Sequence, residues 1–186
     1  MSTKLILHGG FNKVNGPVQR DDAFFQEIFK DVPEEAKVLL VYFAEKEEKV
    51  ASRILEDKEE FSKNCGAKNP QYKVATEATF EEDIRWADVV YLHGGKTVKL
   101  MEIIRKFRNL GELFLGKTIA GDSAGANSLC RVFFSKNSKE IGEGLGILTL
   151  KIVVHYEDGQ PNSLENVEPQ LETLFLREYE TKVFYI

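Results

Sequence analysis

Two cysteines and three histidines among 186 residues leave little from which to build a disulfide framework or a metal centre. Cys65 and Cys130 stand apart, and neither belongs to a C-x-x-C pair, so neither a disulfide scaffold nor a zinc site is signalled. The histidines His8, His93 and His155 are scattered and form no H-E-x-x-H, so no metal and no cofactor are expected. No run of about 18 apolar residues is present to span a membrane. Met1-Ser2-Thr3-Lys4 passes directly into a short apolar stretch, unlike a secretory leader, and a reducing cytoplasm is the simplest compartment. Nor is there a basic excess: the net charge is −5 and no local basic run offers a footprint for nucleic acid. Linkers, repeats and low-complexity segments are also lacking, and residues 1–186 are read as one domain.

What is present is ordinary for a globular protein: 42% hydrophobic and 30% charged residues, enough apolar material for a sizeable core. Short apolar runs alternate with helical patterns. Leu5-Ile6-Leu7 reads as a strand ended by His8-Gly9-Gly10. Asp21 and Asp22 open a helix whose apolar face is Phe24, Phe25, Ile28 and Phe29, since carboxylates suit the unpaired N–H groups of a helix start. Val38 to Phe43 is a continuous apolar run, as in a strand covered on both faces. Glu45 to Phe61 reads as a charged surface helix, Tyr72 to Ala75 as a weak strand and Phe80 to Trp86 as a short helix. Asp88 to Leu92 is a strand before His93-Gly94-Gly95, and Val98 to Phe107 a helix. Lys117 to Ala120 is a strand and Ala124 to Cys130 a helix. Within residues 132–150, Gly142, Gly144 and Gly146 suggest loops around Leu145 and Ile147-Leu148. Lys151 to Tyr156 is a strand, Leu164 to Leu176 a helix interrupted by Pro169, and Val183 to Ile186 a last strand. This alternation implies a three-layer α/β/α fold on a mostly parallel sheet. Ligands in such sheets bind at the carboxyl ends of the strands. His8-Gly9-Gly10, His93-Gly94-Gly95, the segment at 121–127 and His155-Tyr156 all fall there.

That segment is Gly121-Asp122-Ser123-Ala124-Gly125-Ala126-Asn127, a G-x-S-x-G sequence. Small residues around a serine let the backbone turn sharply from strand to helix, exposing the hydroxyl and aiming the following N–H groups at the same space. A serine becomes a nucleophile only with a base in reach. His155 is the candidate base, because it ends a strand and polar residues follow it; His8 and His93, each before paired glycines, read as loop anchors or substrate contacts. The Ala124 N–H suits a developing oxyanion, and the Gly94-Gly95 turn can bring a second donor, since glycine permits close backbone approach.

Taken together, residues 89–97, 121–127 and Val154-His155-Tyr156 resemble the peptidase E (aspartyl dipeptidase) and cyanophycinase family of serine peptidases, in order and spacing over nearly the whole chain. The resemblance implies a class I glutamine amidotransferase-like (flavodoxin-like) fold, Ser123 as nucleophile and His155 as base. It places oxyanion donors at Gly95 and Ala124, and substrate contacts at Gly94 and Asn127. The family's acid falls nearest Glu140, with Glu157 and Asp158, or no acid at all, as alternatives. The family's glycine turn, usually G-G-N-T, is Gly94-Gly95-Lys96-Thr97 here. The arginine expected after the histidine to hold a substrate aspartate is missing from Leu164 to Gln170, and the chain is shorter than the peptidase E type. A different cleft is therefore expected, and whether an N-terminal aspartate is preferred stays open.

The implied activity is hydrolysis of small, dipeptide-like peptides through an acyl-enzyme, by a monomer or homodimer that binds neither nucleic acid nor membrane. Two other readings stay open. A non-catalytic amidotransferase-like binding module would tolerate an incomplete triad. An α/β-hydrolase esterase would match the serine motif and His8-Gly9-Gly10, but that fold needs far more chain between serine and histidine than the 32 residues from 123 to 155.

Overall fold

A computed structural model describes residues 2–11, 22–136 and 138–186. In chain order the elements are β1 (Lys4–His8), α1 (Asp22–Phe29), β2 (Lys37–Val41), α2 (Glu47–Asn64), β3 (Gln71–Val74), α3 (Phe80–Trp86), β4 (Val89–Leu92), α4 (Thr97–Ile104) and α5 (Leu110–Leu113). Then come β5 (Thr118–Asp122), α6 (Ala124–Leu129), β6 (Cys130–Ser135), β7 (Glu140–Glu143), β8 (Leu148–Val154), β9 (Thr173–Leu176) and β10 (Thr181–Tyr185). The expected opening of α1 at Asp21 lies outside the described residues.

The main sheet has the order β10-β1-β5-β4-β2-β3. All its pairings are parallel except β10 on β1. Its central strands are apolar on both faces because both faces are covered. One face presents Ile6, Val38, Leu40, Val89, Tyr91 and Ala120 to Phe24, Phe25, Ile28 and Phe29 of α1 and Phe61 of α2. The other presents Leu5, Leu7, Leu39, Val41, Val90, Leu92 and Ile119 to α3, α4, α5 and α6. Each fully buried phenylalanine or leucine here contributes about 1.5–3 kcal/mol relative to exposure. The mostly parallel α/β sheet expected from the sequence is thus present.

A second sheet, β7-β6-β8-β9, was not expected. The stretch read as loops at 132–150 supplies β6, β7 and the start of β8. Phe133, Leu148, Ile152, Val154 and Leu176 of this sheet join the core formed with α6. Gly142 lies against the Phe133 ring, with no room for a side chain, so a glycine that suggested a loop is instead a packing residue within a strand.

The helix expected from Leu164 to Leu176 does not form. Lys151 is buried, and its ammonium donates to the carbonyl oxygens of Leu164 and Val167, 2.9 Å each. Those are carbonyls a helix would use internally. Glu168, at φ 40°, then turns the chain into Pro169, and Thr173–Leu176 pairs in parallel with β8. A buried cation therefore holds this segment as a series of turns over the second sheet, beside Val132, Val153 and Leu164.

Candidate active site

β5 ends at Asp122, and α6 begins at Ala124, so Ser123 alone makes the turn between them. Its backbone sits at φ 47°, ψ −98°, a conformation that a side-chain-bearing residue adopts only under strain. The surroundings enforce it. The Ser123 N–H donates to the His8 carbonyl at 3.0 Å, and the Asn127 N–H donates to the Ser123 carbonyl at 2.9 Å. Gly121 and Gly125 permit the tight crossing: a Cβ on Gly121 would lie 2.5 Å from the Ala126 nitrogen, and one on Gly125 2.2 Å from the Leu92 carbonyl oxygen. The strand-to-helix turn expected of the motif is therefore built here, and it leaves Ser123 partly exposed.

His155 follows β8 at φ 52°, its N–H donating to the Gly9 carbonyl at 2.9 Å. Its Nε2 lies 3.0 Å from the Ser123 Oγ, so the structure brings together the two residues singled out from the sequence. On the other side of the ring, Nδ1 lies 3.2 Å from Oε1 of Glu178. Glu178 sits in the turn between β9 and β10, where the Tyr179 N–H donates to the Gly10 carbonyl at 2.9 Å. Serine, histidine and glutamate thus form one hydrogen-bonded line.

Glu140 does not take the acid's place. It opens β7, exposed, paired across the strands with Ser135. The alternatives are also engaged elsewhere: Glu157 with Lys136, and Asp158 with Arg177, both at the surface. The physical reason is topological. β8 ends at Val154, just before His155, and its parallel neighbour β9 ends beside it, so an acid just after β9 reaches the imidazole while one on β7, across β6, does not. The signal available in the sequence was Thr173-Leu174-Phe175-Leu176 followed by Arg177-Glu178, a β-rich run with an acid at its exit.

The β1 exit ties the three members together. Carbonyls of three consecutive residues, His8, Gly9 and Gly10, accept N–H groups from Ser123, from His155 and from Tyr179 next to Glu178. Of the other histidines, His8 is buried with Nδ1 2.8 Å from Asp122 Oδ1. His93 is buried with Nδ1 2.8 Å from Asp57 Oδ2. Neither contacts Ser123 through its ring, in keeping with anchoring roles.

Gly95 has φ 143° and lies with its Cα against the Ala44 carbonyl, a position no side chain could share. Ala124 begins α6, so its N–H has no intrahelical acceptor and is available to a ligand. Gly94 packs on the Asp122 carboxylate. Asn127 is buried, with its amide donating to Thr97 Oγ1 at 3.1 Å, which ties α6 to α4. A cleft of about 520 Å³ opens beside Gly95, lined by Lys96, Thr97, Lys99, Glu102, Ser135 and Ser138 among others. Burial pushes the Cys130 thiol well above its ordinary range, so it is core and no rival nucleophile. Among the described residues no cluster of potential metal ligands occurs, and no helix is long and apolar enough to cross a membrane.

A family model described as peptidase family S51 matches residues 5–185. In fold the chain is similar to a peptidase from an acI-B1 Actinobacterium, with TM-score 0.66, 19% identity, and coverage of 99% of this chain and 84% of the other. It is also similar to a Listeria monocytogenes EGD-e protein described as of the peptidase E kind, with TM-score 0.64, 15% identity, and coverage of 100% and 98%. No curated protein matches the chain.

Proposed function

The chain belongs to peptidase family S51, and on that premise we propose that it is a serine peptidase of small peptides, working through Ser123, His155 and Glu178. The observation that carries the reading is the 3.0 Å contact between Ser123 Oγ and His155 Nε2 at a strained, partly exposed turn. Strain of this kind is retained where function requires it.

In the proposed mechanism Ser123 Oγ attacks the substrate carbonyl while His155 Nε2 takes its proton. Glu178 holds Nδ1–H and offsets the charge of the imidazolium. The N–H groups of Gly95 and Ala124 receive the oxyanion. His155 then protonates the leaving amine, and water, deprotonated by the same imidazole, releases the acyl group. The cleft beside Gly95 has the dimensions of a small-ligand site, though neither Ser123 nor His155 lines it. Val98 gives it an apolar wall beside its lysines, glutamate and hydroxyls, so it offers both kinds of surface to a small peptide.

Labelling with a fluorophosphonate tests the nucleophile. Wild type is expected to react, while Ser123→Ala and His155→Ala are not. A dipeptide and isopeptide library then defines the substrate. Absence of labelling in folded wild type, or labelling that survives Ser123→Ala, refutes the assignment.

A further inference from the structure

Asp122 precedes the nucleophile and is almost wholly buried, yet the mechanism above gives it no task. It is the last residue of β5 and stands in register with His8, the last residue of β1. Two links join these strand ends. The His8 carbonyl accepts the Ser123 N–H at 3.0 Å, and the His8 ring meets Asp122 Oδ1 through Nδ1 at 2.8 Å. The His8 ring is itself fixed, stacked on Phe24 at 4.4 Å between centroids and tilted against Phe11 at 4.4 Å.

The second carboxylate oxygen faces the other strand end. A Cβ on Gly94 would lie 2.6 Å from Asp122 Oδ2 and 3.5 Å from the Asp122 carbonyl oxygen. The backbone of the glycine turn therefore rests directly on this carboxylate. One side chain thus spans from the anchor of the nucleophile turn, on β1, to the turn after β4 that carries Gly95. The gap between Ser123 and the Gly95 N–H is where a tetrahedral intermediate has to fit.

The charge state follows from the surroundings. Burial works against the Asp122 carboxylate, but the hydrogen bond from His8 and the fields of His8, His93 and His155 outweigh it and hold the carboxyl below its usual range. His8 comes from β1, His93 from the end of β4 and His155 from the end of β8. His93 also faces Asp57 and Glu45; His155 also faces Glu178, and Lys136 reaches its carbonyl. The nucleophile turn thus carries a fixed buried negative charge within the field of the catalytic imidazole.

Resting on the serine peptidase reading, we propose that Asp122, held by His8, is a positioning residue for the reaction. It sets the spacing between Ser123 and the Gly94-Gly95 turn, with one carboxylate oxygen on the His8 ring and the other against Gly94.

The test compares wild type, Asp122→Asn, Gly94→Ala and Ser123→Ala on one cleaved peptide, with kcat and KM measured across pH. Asp122→Asn is expected to lose about tenfold or more in kcat, less than the 100- to 1,000-fold typical of deleting an oxyanion donor outright. KM is expected to stay nearly constant. Gly94→Ala, which drives a methyl group into the carboxylate oxygen, is expected to lose kcat in the same way; it serves if Asp122→Asn does not fold. Wild-type kcat in Gly94→Ala or in folded Asp122→Asn, or a loss carried by KM with kcat unchanged, overturns the proposal. Turnover that survives Ser123→Ala overturns the function reading instead, so the two failures are distinct.

Discussion

Replacing Glu178 by glutamine keeps the side chain's shape and an acceptor oxygen for His155 Nδ1–H, but removes the charge. The contact is 3.2 Å, and the side chains of His155 and Glu178 are 23% and 35% exposed. A hydrogen bond to a charged group contributes about 1–1.5 kcal/mol more than a neutral one. Glutamine keeps the bond and loses that increment, which at about 1.36 kcal/mol per decade costs roughly 5- to 13-fold in kcat. A buried triad aspartate costs about 10,000-fold when neutralised. Here water reaches the carboxylate and screens it, so the smaller figure applies. The assay is kcat and KM for peptide hydrolysis across pH, or the rate of phosphonate inactivation, with Glu140→Gln as the comparison. Glu140→Gln is expected to act at the wild-type rate. A wild-type plateau in Glu178→Gln, or an equal loss in Glu140→Gln, would refute the triad.

Three further outcomes are expected. Ser123→Gly and Ser123→Ala are both inactive, but the glycine variant is more stable by about 1 kcal/mol, because glycine relieves the positive φ; thermal unfolding should separate them by about 2–4 °C. Lys151→Met loses about 2 kcal/mol in urea unfolding, since the Leu164 and Val167 carbonyls lose their buried donor, and limited proteolysis within residues 157–172 becomes faster. Because the Asp122 carboxyl is held below its ordinary range, its contribution to stability is fully present above the unfolded value of about 3.9 and is lost as pH falls through the lower folded value. Acid unfolding of Asp122→Asn should therefore show a shallower dependence on pH than wild type below about pH 4.

The parallel sheet was legible because its central strands β1, β2 and β4 are covered on both faces and read as apolar runs; Val38 to Val41 and Val89 to Leu92 are examples. Ser123 was legible because the glycines that its turn needs are adjacent to it in sequence. The second sheet was not, because β7 and β9 are short and half-exposed and carry weak alternation. The false helix at 164–176 arose from local spacing, which says nothing of Lys151 taking its carbonyls from another strand. Glu178 was missed for a similar reason. Its approach to His155 depends on β9 lying parallel to β8, a pairing that no local pattern announces.

The three consecutive carbonyls at the β1 exit also order events in time. His8, Gly9 and Gly10 leave the ribosome before the groups they accept, which come from Ser123, His155 and Tyr179. A nascent chain holds the receiving half of the site long before the donating half exists. Until residue 179 has emerged, the jig stands open, and Ser123 has no histidine and glutamate lined up behind it. The line of Ser123, His155 and Glu178 is therefore assembled only after the last of the three donors has been made.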